Sequence, residues 1–384
     1  MQVRLLPGAL RLALPGMDHR NRRTFARLFR GLTAILFLVV TALPLLGSWP
    51  RWDPWYTFNE RRRLAEFPDW PRNYSQAASF FPAVLSFYRD HFGFRRTLIH
   101  GLALTKVGFL HVSGDSNVII GDEGWLYLRL SDGPGSSQNS ELAPLSESEL
   151  NRWQYLLEQR QAWLAKRHIS YLVVIVPEKQ SIYAELLPAP MRRLQYNRWA
   201  DQLVNRLKSS GLRILDLQSY LLEGKSREAV YWKADTHWNE YGLYVGYRAM
   251  MEEIHRILPG KPLIVLGPED FARFPARGVG GDLANMLGVP ELFSEPFNTM
   301  IPRDQKLPPR GAEDSLYELN GEARMPRWVM YHDSFGSELI PVMARSFSHG
   351  AYYWGKHDMR GDFIAAERPD LVIGLKKGPE AISM

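Results

Sequence analysis

RWVMYHDSFG, residues 327–336, is the stretch on which the fold turns. Residues 327–332 read as a short apolar strand, and Asp333-Ser334-Phe335-Gly336 then leads the chain out of it. In parallel α/β sheets, sites lie at the carboxyl ends of strands. There a strand-to-helix turn can expose a side chain and aim the following backbone N–H groups at a reacting oxygen. Further apolar strands lie to either side: YLVVIVP (171–177), LRILDL (212–217), AYYW (351–354) and DLVIGL (370–375). Helical patterns separate them. One opens on the capping-box spacing Ser146-x-x-Glu149, one covers 197–209 and one covers 241–258. VIIGDEGWLYL (118–128) reads as a hairpin around Asp122-Glu123-Gly124. Alternation of this kind predicts βαβ units and an α/β domain with a mainly parallel sheet. The Pro-rich segment 290–310 reads as a long surface loop.

Composition narrows the class. At 384 residues with 45% hydrophobic and 12% aromatic content, the chain must bury one large domain or two ordinary ones. The absence of cysteine excludes a disulfide framework, a thiolate zinc site, an iron–sulfur cluster and a cysteine nucleophile. Net charge is +6, but residues 1–63 carry eleven arginines against Asp18, Asp53 and Glu60, a balance of +8. Everything after Arg63 therefore sums to −2. Nucleic-acid binding needs a basic surface on the folded body itself, so it loses its electrostatic basis.

The basic excess flanks a second feature. Gly31 to Pro50 are 20 residues without a charge, the length of one membrane-spanning helix. Arg20, Arg22, Arg23, Arg27 and Arg30 precede the run, and Trp49, Trp52 and Trp55 come after it. This pattern predicts a cytoplasmic N-terminus and export of the chain beyond residue 50. The expected organisation is a basic cytoplasmic leader (1–30), a transmembrane signal anchor (31–50), a juxtamembrane stretch with an amphipathic helix (51–110) and a catalytic domain (111–384). A cleaved signal peptide competes with the anchor, although an A-x-A-like site is lacking. Met17 opens a conventional basic leader and competes with Met1 as the start.

Three segments carry polar residues that a bland fold would not need. Asp235-Thr236-His237-Trp238-Asn239 can direct a carboxylate and an imidazole into one pocket, the carboxylate fixing the tautomer. Its plainer reading is a helix N-cap beside a half-exposed histidine. Ser334 stands where a nucleophile would, and its plainer reading is a helix cap. Gly278-Val279-Gly280-Gly281-Asp282-Leu283-Ala284-Asn285 lets backbone approach a ligand, with the Gly281 N–H or the Asn285 amide as oxyanion donors. Otherwise it is a loop, and its spacing does not fit a dinucleotide fingerprint. Together the first two supply the inventory of Ser-His-Asp acyl chemistry, in which chain order is immaterial.

The same residues carry a resemblance. Asp235-Thr236-His237-Trp238-Asn239 with Gly242, His332-Asp333-Ser334-Phe335, Gly281-Asp282-Leu283 with Met286-Leu287-Gly288, and Gly121-x-x-Gly124-Trp125-Leu126-Tyr127 resemble the AlgJ/AlgX family of alginate O-acetyltransferases. Smaller pieces occur in family order: Asn59-Glu60-Arg61, Asp90-His91-Phe92-Gly93-Phe94-Arg95, Val176-Pro177-Glu178-Lys179 with Tyr183, and Pro369-Asp370-Leu371-Val372-Ile373. The resemblance covers about residues 56–375. It implies an SGNH-hydrolase-like α/β/α domain with Ser334 as nucleophile, His237 as general base and acid, and Asp235 as its orienting carboxylate. It also implies a periplasmic enzyme on the inner membrane that acetylates hydroxyls of an alginate-like exopolysaccharide. The acetyl group would come from a multispanning membrane acyltransferase, and no cofactor would be needed. An anchor without a recognisable C-terminal carbohydrate-binding module places the chain nearer AlgJ than AlgX. His332 departs from the Gly-Asp-Ser of SGNH esterases. An acetylesterase would use the same residues with water as acceptor, and a non-catalytic polysaccharide-binding assembly protein would use only the aromatics. A metal held by Asp235, His237 and His332 is arithmetically possible and has no other support.

Overall fold

The computed structural model describes residues 28–39, 63–129, 145–192, 199–208, 210–303, 314–318, 324–354 and 359–377. They fall into two compact units, 1–102 and 103–384. In the first, α1 covers 28–39, followed by α2 (Tyr74–His91) and α3 (Arg95–Ala103). The single amphipathic helix expected before residue 110 is thus two helices. The chain leaves α2 through extended Phe92, and Phe94 takes a left-handed φ of 58°, in which a helix cannot continue. Among the described residues no helix is long and apolar enough to cross a membrane. Residues 40–50 of the uncharged run lie outside them.

The second unit starts with a π-helical turn (Leu104–Phe109) and the hairpin β1 (Val118–Ile120) and β2 (Leu126–Leu128). Then come α4 (Glu147–Ala165), β3 (Ser170–Ile175), α5 (Lys179–Ile182), α6 (Ala189–Arg192), α7 (Trp199–Leu207), β4 (Arg213–Asp216), α8 (Gln218–Lys225) and α9 (Glu240–Ile257). After a small region with β5 (Phe271–Ala272), β6 (Pro275–Val279), α10 (Asp282–Leu287), β7 (Ser294–Asn298) and β8 (Ile301–Pro302), the chain returns to the main sheet. It does so through β9 (Asp314–Glu318), β10 (Arg327–His332), α11 (Ser334–Met343), β11 (His349–Trp354), α12 (Gly361–Glu367) and β12 (Leu371–Lys376).

The main sheet runs β4-β3-β12-β10-β11-β9. Its first five strands are parallel and β9 is antiparallel at the edge. Side chains alternate across it, so a strand such as β3 feeds two cores. Tyr171, Val173 and Ile175 of β3 join Trp153 and Leu157 of α4, Trp199 and Leu203 of α7, and Ile364 of α12. Leu172, Val174 and Val176 join Leu221 of α8, Met250 and Ile254 of α9, and Leu339 and Met343 of α11. The expected three-layer α/β/α arrangement is therefore present. The predicted capping box on α4 also forms: Ser146 accepts from the Glu149 N–H, and Glu149 accepts from Ser146.

One expectation fails. Residues 294–298 and 301–302 of the Pro-rich segment are strand and not loop: β7 pairs antiparallel with β6 and β8 with β5. Pro296 sits opposite Arg277 in a two-stranded ribbon, where a strand has one unpaired edge and a missing N–H can go unmissed.

Candidate active site

Three neighbouring strands, β3, β12 and β10, bring their carboxyl ends together, and the residues just beyond them meet. Asp333 caps α11: its Oδ1 accepts from the Phe335 N–H at 3.0 Å, and its Oδ2 accepts from the Lys377 N–H, past the end of β12, at 2.9 Å. The Lys377 ammonium reaches Glu178, past the end of β3, at 3.3 Å. Ser334 is the first residue of α11. The turn that carries it is thus pinned to the sheet by a side chain next door.

The loop 231–239 faces this turn. Its base is an antiparallel bridge between Tyr231 and Trp238. The Tyr231 hydroxyl donates to Pro177 O at 2.5 Å, anchoring the loop to the end of β3. Asn239 closes the far side, its carbonyl accepting from the Gly242 N–H at 2.9 Å to cap α9 and its amide donating to Ala229 O at 2.7 Å. At the tip, His237 Nδ1 lies 2.7 Å from Asp235 Oδ1, which also accepts the His237 N–H at 2.9 Å. The Phe335 ring, fully buried, stands 4.9 Å from the His237 ring and 5.2 Å from that of Trp238. Burial of such a ring is worth about 1.5–3 kcal/mol and fixes the loop against the helix that begins at Ser334.

Asp282 clasps the loop reciprocally. Its N–H donates to Asp235 Oδ2 at 2.8 Å, its Oδ1 accepts the Thr236 N–H at 2.8 Å, and its Oδ2 accepts the Thr236 hydroxyl at 2.5 Å. This explains Gly281: with φ at 140°, a Cβ there would stand 2.3 Å from Ala234 O. Behind the loop, Lys179 is 2% exposed, and its ammonium donates to Trp232 O, Lys233 O and Asp235 O at 3.1, 3.0 and 2.6 Å. Three N–H donors meet three carbonyls, which is what makes such a burial tolerable. Burial still pulls the ammonium down to about 7, against the carboxylates of Asp235, Asp282 and Glu295.

The electrostatics of the dyad derive from its contacts. Burial opposes the Asp235 charge, but the two hydrogen bonds from His237 and one from Asp282 outweigh it and hold the carboxyl down at about 2. Burial likewise opposes the imidazolium, and the Asp235 hydrogen bond and charge, with Glu338 adding to them, raise His237 above its ordinary value. With Nδ1 committed to Asp235, Nε2 is the nitrogen left to exchange a proton. The dyad opens on a pocket of about 200 Å³ lined by Trp232, Trp238, Asn239, Glu240, Leu243 and Glu338.

The structure therefore joins Asp235 to His237 directly and sets Ser334 at the head of the facing helix. Ser334 Oγ makes no hydrogen bond to a described residue, and contacts of this kind are often long without substrate. Ser334, Gly281 and Asn285 are not among the residues that line this pocket. Gly281 lies under Ala234, and Asn285 is exposed on α10. His332 is buried at the end of β10 with Nδ1 2.9 Å from Asp333 O. The grouping that has ligand spacing is Asp235, His237 and Asp282, and each of its carboxylate oxygens already accepts a hydrogen bond. Lys179, Asp282 and Glu338 carry roles that sequence reasoning did not assign. Each acts on residues about 50 to 100 positions away, and only the Glu178-Lys179 and Gly281-Asp282-Leu283 pieces of the family resemblance hinted at them.

Comparison with known proteins agrees with this architecture. The chain resembles the AlgJ protein of Pseudomonas aeruginosa, named a probable alginate O-acetylase, at 24% identity over 242 residues, 58% of this chain and 56% of that one. It resembles the protein of the same name from Azotobacter vinelandii at 25% identity over 267 residues, 67% and 59% of the two chains. It thus spans somewhat over half the length of these curated relatives. Among solved structures, Bacillus cereus PatB1 superposes with a TM-score of 0.51 at 16% identity, over 70% of this chain and 98% of that one, which bears on the fold. The family model described as the SGNH hydrolase-like domain of the acetyltransferase AlgX matches residues 118–337, more than half of the chain, and both the dyad and Ser334 fall inside it. The chain belongs to this AlgX-type SGNH hydrolase-like family.

Proposed function

We propose that the protein is a polysaccharide O-acetyltransferase working through an acetyl-Ser334 intermediate. The observation that carries this reading is the Asp235–His237 contact of 2.7 Å, set against the helix that Ser334 opens. Asp235 holds the imidazole in the tautomer whose Nε2 can accept a proton. His237 takes the Ser334 proton as Oγ attacks the acetyl carbon of an ester-type donor, and returns it to the leaving group. A sugar hydroxyl then attacks the acyl-enzyme by the reverse traffic. The Ser334 N–H bonds to no described residue and is left to face the oxyanion.

The AlgJ names of the relatives favour an exopolysaccharide acceptor, alginate-like in that respect, with the acetyl group handed over by a multispanning membrane acyltransferase. The uncharged run behind its arginine cluster favours a single-pass inner-membrane protein with a periplasmic catalytic domain. Alkaline phosphatase fused after residue 60 is expected to be active, and an inactive reporter would overturn that topology. The chemistry is tested on the full chain with an activated phenyl acetate. Mass spectrometry should find acetyl on the Ser334 peptide, and added oligosaccharide should gain acetyl and speed turnover. An acetyl-enzyme that only water discharges would make the protein an esterase.

A further inference from the structure

The loop that carries His237 also places an aromatic ring beside it. Tyr231 and Trp238 oppose each other across the antiparallel bridge, and both are fully buried. Side chains alternate along such a pair, so Trp232 and His237 form the next opposite couple on the other face. The Trp232 N–H donates to His237 O at 3.3 Å, and both side chains line the pocket with Glu240, Leu243 and Glu338. The indole is supported from the ribbon β6–β7. Phe297 meets it at 4.6 Å between centroids and 78° between planes. Gly278 lies against its six-membered ring, where a Cβ would come within 3.3 Å. A half-buried tryptophan, seated from behind and lining the cavity next to the proton-transferring group, is more than the loop needs for its own stability.

We propose that Trp232 is the platform of the acceptor subsite, stacking the C–H face of a pyranose ring so that one ring hydroxyl comes to His237 Nε2. This rests on the acyl-transfer reading of Ser334 and His237. The acceptor class is a β-linked gluco- or manno-type sugar, whose equatorial substituents leave a flat C–H face for the negative face of the indole. The hydroxyl oxygen attacks the carbonyl carbon of acetyl-Ser334 while its proton passes to Nε2. The bond from that carbon to Oγ breaks, Oγ takes the proton, and the O-acetyl sugar leaves with Ser334 restored. Water can enter the same step, so Trp232 governs how the acyl-enzyme divides between transfer and hydrolysis and not how it forms.

The test uses the full chain, an activated phenyl acetate and β-1,4-linked oligosaccharides. In Trp232→Ala, acetyl-Ser334 should still form, and the readout is how the acyl-enzyme divides between sugar and water. The oligosaccharide concentration for half-maximal transfer should rise roughly three- to tenfold, with Trp232→Phe in between. Unchanged half-saturation in Trp232→Ala, with acetyl-Ser334 forming normally, would overturn the subsite. Absence of acetyl-Ser334 in the parent protein would instead overturn the reading beneath it. Should Trp232→Ala fail to fold, Gly278→Val, which pushes the indole off its seat from outside the pocket, must raise half-saturation in the same way. If it does not, the proposal falls.

Discussion

Ser334→Ala and His237→Ala are each expected to lose about 10⁴- to 10⁶-fold in kcat for acetyl transfer, and the double variant no more than either alone. The reason is that the hydroxyl has no reactivity of its own at neutral pH, and the imidazole has nothing to activate once the hydroxyl is gone. Ser334 sits on a turn held by the Asp333 cap at 3.0 Å and by the Lys377 N–H at 2.9 Å, so alanine at 334 leaves the turn intact. Melting temperature should therefore stay near that of the parent protein. His237 is half-buried, with Asp235 and the Thr236 hydroxyl at its Nδ1 and the Phe335 ring beside it, and its loss should cost some stability as well as rate. Substantial turnover in Ser334→Ala would end the covalent mechanism. Losses that multiply in the double variant would mean the two residues act in separate steps.

Much of this was legible in the sequence, for physical reasons that differ between elements. The strands at 170–175, 327–332 and 371–376 and the capped helix at 147–165 lie where local apolar runs and the Ser146–Glu149 spacing put them, because local signals dominate there. Asp235 and His237 were legible as a pair because two residues in one turn cannot be far apart. What the loop leans on was not legible. Lys179 looks like a surface residue until the fold brings it to the carbonyls of Trp232, Lys233 and Asp235. Asp282, more than forty positions from Thr236, looks like a helix-start residue until it accepts both the amide and the hydroxyl of Thr236. The strand at 294–298 was hidden by Pro296, which an unpaired edge tolerates. The glycine at 281 has a packing reason that the sequence does not show, since a Cβ there would meet Ala234 O.

Asp235→Asn should lose roughly 10⁴-fold in kcat while remaining folded, whereas Asp333→Asn should cost stability and little rate. Asp235 spends one oxygen on His237 and the other on the Asp282 N–H at 2.8 Å. An amide has only one oxygen. Turned toward Asp282, its NH₂ meets Nδ1 and drives the imidazole proton to Nε2, where it blocks the base. Turned toward His237, its NH₂ opposes the Asp282 N–H at a cost of about 1–3 kcal/mol. Asn at 333 faces a similar donor conflict with Phe335 and Lys377, so melting temperature alone would not tell the two variants apart, and kcat does. The pH profile separates them further. A general base must be neutral, so in the parent protein kcat/KM should rise with pH through an inflection above 6.5, the ordinary imidazole value. In Asp235→Asn the largest upward pull is gone while burial and the weaker pull of Glu338 remain, so the residual activity should show its inflection at lower pH than the parent's. Stability carries the same signature. The Asp235 share is present above its unfolded value of 3.8 and is lost as pH falls through about 2. The His237 share is present below 6.5 and is lost as pH rises through the raised folded value. The pair thus stabilises most between 3.8 and 6.5, and there the melting temperature of Asp235→Asn should lie furthest below the parent. Full activity in Asp235→Asn beside a dead Asp333→Asn would mean that Asp333, and not Asp235, orients the base.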